Sequence, residues 1–89
     1  MDSAEVDRSN MGEGRYANYA EIGHNAYEFV FDFGQAWPEG EPAKVYVRVV
    51  TSPETAARLR GALDNALSTY RDSFGDIRPP LEIEEGKSS

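Results

Sequence analysis

Few side chains in this chain are of a type that does chemistry, and their spacing limits what each can do. His24 is the single histidine and the only residue whose ordinary pKa lies near neutrality. It falls in the turn-like run Gly23-His24-Asn25-Ala26, where the sequence places no Ser, Thr or Cys to be activated as a nucleophile. The 89 residues contain no cysteine, so disulfides, thiolate metal sites and cysteine nucleophiles are excluded. One histidine with scattered carboxylates shows no metal-ligand spacing either. Asp32, between Phe31 and Phe33, invites the thought of a general base with a raised pKa. Strand alternation instead puts its carboxylate on the face opposite those rings, within reach of Arg48 or Tyr46 on a neighbouring strand. The expectation is no catalytic residue, no metal, no cofactor and no enzyme.

Binding fits these residue types better than catalysis. Trp37, followed by Pro38 in a polar loop, is the best single anchor, because an exposed indole normally packs or recognises something. It could equally fold back over the end of a small sheet. Arg48, Arg58, Arg60 and Arg71 are the only bases placed to make a nucleic-acid surface. Residues 16–75 nevertheless hold eight acids against five bases. Overall, sixteen acidic and nine basic residues give a net charge of −7, which repels phosphate backbones and anionic membranes at long range. A basic or neutral protein partner fits better than nucleic acid or a membrane. A small-ligand or nucleic-acid accessory domain using Trp37 and the surface arginines remains the alternative. The acidic start, Met-Asp-Ser-Ala-Glu-Val-Asp, lacks the basic and apolar regions of an export signal. A cytoplasmic location is expected.

The elements that must position these residues read as an α+β domain. Residues 1–15 are expected to form a disordered acidic arm and residues 78–89 a disordered tail, since neither holds enough apolar surface to offset ordering. Residues 16–77 form one β-β-β-α domain. Tyr16–Gly23 alternates and Ala26–Gly34 alternates more strongly, giving two strands joined by a hairpin at Gly23-His24-Asn25-Ala26, where Gly and Asn suit positive φ. Pro38, Gly40 and Pro42 break the next segment into a loop before a third strand, Lys44–Thr51. A helix then starts at Pro53. Ser52 is its N-cap, Glu54 complements the positive end of its dipole, and Gly75 stops it. Leu59, Leu63, Ala66, Leu67, Tyr70 and Phe74 make an apolar stripe at three- and four-residue spacing.

The expected architecture is a three-stranded antiparallel sheet packed on the one C-terminal helix. Phe31 is expected opposite Val47 and Phe29 opposite Ala20, which gathers Tyr27, Phe29, Phe31, Phe33, Val45, Val47 and Val49 on the face the helix covers. Asn18 would point the same way, and its amide would fix backbone near a sheet edge. The other face keeps Tyr19, Val30, Tyr46 and Val50 around Arg48, which is too apolar for a wholly wet surface. A second surface is the helix flank of Ala57, Gly61 and Ser68, where small side chains admit another backbone. Self-association is therefore expected, a homodimer above other oligomers, through the outer sheet face or the helix flank.

Read in order, Tyr16-x-Asn18, Tyr27-Glu28-Phe29-Val30-Phe31-Asp32-Phe33-Gly34, Arg48-Val49-Val50-x-Ser52-Pro53-Glu54 and Tyr70-x-x-x-Phe74-Gly75 resemble a bacterial family labelled domain of unknown function 3467. The resemblance covers Tyr16 to about Ile77 and leaves both arms and the Trp37 loop outside. It implies a compact bacterial domain and brings no substrate, cofactor or catalytic residue. The Asp-Phe-Gly run is no kinase signature, because no kinase-sized chain surrounds it.

Overall fold

The computed structural model describes residues 5–78. Strands β1 (Tyr19–His24), β2 (Phe29–Gln35) and β3 (Lys44–Thr51) form one antiparallel sheet in the order β1-β2-β3, and helix α1 (Pro53–Phe74) follows. The sheet and the helix are those the alternation and capping signals indicate. Most of the sequence expected to be a C-terminal tail, residues 79–89, and the first four residues of the arm lie outside the described residues.

The helix begins and ends where its chemistry says. The Ser52 side chain accepts from the Thr55 amide at 3.1 Å, Pro53 occupies the first turn, and Gly75, at φ 93°, donates its amide to the Arg71 carbonyl at 2.9 Å. That close uses the positive φ which glycine adopts without a Cβ penalty.

The hairpin is centred two residues later than expected. Asn25 organises it through its side chain and not through positive φ. Its Oδ1 accepts from the amides of Tyr27 and Glu28 at 2.7 and 3.0 Å, while its own amide donates to the Glu28 carbonyl at 3.0 Å. A side chain has taken over the turn, and no residue of it has positive φ. As a result β1 runs through His24, Tyr27 leaves the strand and is exposed, and Ala20 lies opposite Phe33 rather than Phe29.

The β2–β3 ladder is also displaced, with Phe31 opposite Val49 and Phe33 opposite Val47. Both slips are by an even number of residues, so every side chain up to that point keeps its expected face. Beyond Phe33 the pairing jumps to Gly34 with Val45, leaving Tyr46 without a partner at a bulge. Val45, expected beside Val47 and Val49, therefore sits opposite Gly34 in the row of Tyr19. Gly34 is buried here, and a Cβ on it would stand 2.0 Å from the Lys44 carbonyl oxygen.

The largest departure concerns the cover of the sheet. Among the described residues no apolar side chain is buried, and none of the helix residues is. Leu59, Leu63, Tyr70 and Phe74 keep 47, 53, 47 and 74% of their surface exposed. The helix makes only marginal contact with the strands, so the expected packing of sheet on helix is not made within one chain. The radius of gyration is 15.5 Å, against about 12 Å for a compact chain of this length. The physical reason lies at the junction. Only Ser52 separates β3 from α1, and the proline after it confines it to extended backbone, φ −82° and ψ 160°.

Gly34→Ala drives a methyl group into the Lys44 backbone, and we expect it to cost at least the ~1–3 kcal/mol of ordinary overpacking. A denaturant midpoint unchanged from the parent chain would show that this close approach is not required.

Candidate functional site

Cross-strand pairing sorts the sheet into two faces. One carries the rows Ala20–Phe33–Val47, Ile22–Phe31–Val49 and His24–Phe29–Thr51, and the other carries Tyr19–Gly34–Val45, Glu21–Asp32–Arg48 and Gly23–Val30–Val50. We call these the aromatic face and the outer face.

The centre of the outer face is an ion pair. Arg48 donates from Nε and an Nη atom to the two carboxylate oxygens of Asp32, at 2.7 and 2.8 Å. This bidentate fork is the strongest geometry available to a carboxylate. Asp32 is the one buried charged residue among those described, at 8% exposure. The fork holds its carboxyl below the ordinary value, a pull that outweighs desolvation, and it raises Arg48 in turn. Glu21 completes the row across the sheet and accepts from the Tyr19 hydroxyl, which raises the Tyr19 pKa. The general-base alternative for Asp32 requires a raised pKa, and the structure places the shift in the other direction.

Of the other residues expected on this face, Tyr19 and Val30 are half-buried and Val50 keeps 52% of its surface, while Tyr46, unpaired at the bulge and half-buried, lines a hollow with Phe33 and Val47 of the aromatic face. Over Tyr46 lies the N-terminal arm: the Arg15 guanidinium carbon stands 3.7 Å from the ring centroid, and the Tyr46 hydroxyl donates to the Tyr16 carbonyl. Residues 1–15 are expected to be a disordered arm, and nothing in their composition points to Arg15 as the residue that docks. Asn18 does fix backbone. Its amide oxygen accepts from the Ala36 amide at 2.8 Å and its Nδ2 donates to the Ala36 carbonyl at 3.2 Å, though it is exposed rather than in a core.

Trp37 is half-buried, and Ala57 and Gly61 are exposed on the helix. Nothing lies within 4 Å of where a Gly61 Cβ would be, so no bulky residue among the described ones occupies that flank. His24, at the end of β1, stacks on Phe29 with ring centroids 5.1 Å apart. Of the four arginines placed by sequence to make a nucleic-acid surface, Arg48 is committed to Asp32, and Arg60 faces Asp64 at 3.9 Å. The described residues hold no cluster of three or more His, Asp or Glu side chains placed for a metal ion. No helix among them is long and apolar enough to cross a membrane.

A family model described as "Protein of unknown function (DUF3467)" matches residues 3–79. The chain belongs to this family. The match takes in nearly all of the arm and the Trp37 loop, both expected to lie outside it, and the arm it includes is the one packed on Tyr46. No curated protein and no solved structure matches. Nothing from the DUF3467 description assigns a ligand or a reaction to these residues.

Two measurements probe the site. Because the Asp32 pKa is lowered on folding, the stability the fork contributes is complete above the unfolded value of about 3.9 and is lost as pH falls through the folded value. Asp32→Asn should therefore be less stable at neutral pH and lose less on acidification, read as thermal midpoints from about pH 6 to about pH 2. On the helix, Gly61→Ala has open space for its methyl and should stabilise the chain by about 1 kcal/mol. If the same change weakened self-association, a partner backbone would be assigned to that flank.

Proposed function

We propose that this chain is a non-enzymatic protein-interaction module that works as a symmetric homo-oligomer, in its simplest form a dimer. One observation carries the reading: its described residues bury no apolar side chain. A small sheet is independently stable only when a hydrophobic face is covered. Each Val, Leu, Ile or Phe left wet forgoes roughly 1.5–3 kcal/mol, and a domain of this size has little else to offset chain entropy. In this reading the cover that the described residues lack comes from another macromolecule, and a second copy is the partner always present.

The lack of any cysteine fits a reducing, cytoplasmic setting. The net charge of −7 favours a neutral or basic protein over nucleic acid for any further partner. Tyr19, Val30 and Val50, around the Arg48 fork, remain available as an outer contact for it, with Trp37, Ala57 and Gly61 as further candidates.

Light scattering at micromolar concentration is expected to give a mass near twice the 9.9 kDa of one chain or a higher multiple. The thermal midpoint should rise with protein concentration. A strictly monomeric, cooperatively folded particle would overturn the reading.

A further inference from the structure

Resting on that reading, we infer that the second copy is held by reciprocal exchange of helices: α1 of each chain lies on the aromatic face of the other. Each copy carries both halves of the contact and joins neither. The receiving half is the face built on Phe29, Phe31 and Phe33, and the inserting half is the stripe of α1. Beside Phe33 and Val47, at one end of this face, lies a hollow of about 520 Å³ bounded also by Tyr46, Ala17 and the arm residues Glu13 and Arg15.

The junction explains why the two halves of one chain stay apart. A helix that returns onto its own sheet ordinarily needs a connection of about two to six residues. Here the connection is Ser52 alone, held extended between Thr51 and Pro53 and fastened by its bond to the Thr55 amide. The helix is aimed away from its own sheet and toward a neighbour's.

The dimensions agree. Leu59 to Phe74 spans roughly 22 Å at the helical rise, and a seven-residue strand such as β2 spans about the same. Ile22, Val49, Leu59, Leu63, Tyr70 and Phe74 each keep between 46 and 74% of their surface. Together they offer on the order of 700 Å² per chain, close to what one partner of a standard interface buries. A contact made of the same two patches on both copies closes by a two-fold axis and leaves nothing open for a third. The outer face, by contrast, centres on the satisfied Asp32–Arg48 fork.

The absence of native cysteine permits a direct test in the full chain. One preparation carries a single sheet cysteine, Ile22→Cys, Val47→Cys or Val49→Cys, and another a single helix cysteine, Leu59→Cys, Leu63→Cys or Tyr70→Cys. The two are unfolded together, refolded so that copies mix, and oxidised gently. We expect at least one sheet–helix pair to form the mixed disulfide roughly a hundredfold faster than an outer-face Val50→Cys control, the ratio of contact to bulk concentration. Helix–helix or sheet–sheet disulfides dominating the mixtures would overturn the exchange. So would a chain carrying Val49→Cys and Leu63→Cys together that closes on itself as a monomer. Variants that fail to refold are replaced by the other positions on the same face. A dimer by light scattering without sheet–helix crosslinks refutes the exchange but leaves the interaction module standing, whereas a monomer refutes both.

Discussion

The arrangement of the molecule depends on the backbone at Ser52. Proline at 53 restricts the residue before it to extended backbone, and the serine side chain spends its oxygen on the first turn of the helix. These two local constraints use up the only residue between sheet and helix. No third residue remains to turn the helix over the sheet, so a chain with a well-formed helix and a well-formed ladder is left with two apolar surfaces in water. The lack of any buried apolar side chain among the described residues, the large radius of gyration and the case for a second copy all descend from this junction.

The outer face shows how a sheet can be finished on one side without a core. Its middle row places Glu21, Asp32 and Arg48 side by side across the strands. The guanidinium satisfies both carboxylate oxygens of the one buried acid. Tyr46, left unpaired by the bulge, is covered by Arg15 and hydrogen-bonded to the Tyr16 backbone. Polar pairing thus does on the outer side what apolar contact would have to do on the other. Close approach at Gly34, where only a hydrogen fits against Lys44, holds the bulge that places the tyrosine.

Much of this was legible in the residues, and the misses have definite causes. Ser52, Pro53, Glu54 and Gly75 mark the helix ends because capping is local chemistry. Alternation assigned most side chains to their faces, and the Asp32–Arg48 contact followed from it. Registers were not legible to the residue, because Asn25 closes the hairpin with its side chain where a positive-φ turn at 23–26 is expected, and because the jump beyond Phe33 depends on a backbone contact 10 positions away at Lys44. Val45 changed rows for that reason. The docking of Arg15 carried no sequence signal. The helix stripe was read correctly as apolar, but periodicity shows that a surface needs covering and says nothing about whose atoms cover it.

A lone residue between ladder and helix also determines where damage is felt. When cover is lent and not kept, a lesion in one helix bares the sheet of a neighbouring, intact molecule, while the damaged copy still borrows a sound helix. A fragment ending before Pro53 would take shelter and return none. Such a chain is open to poisoning by its own defective copies, a hazard that a domain folding over its own sheet does not face.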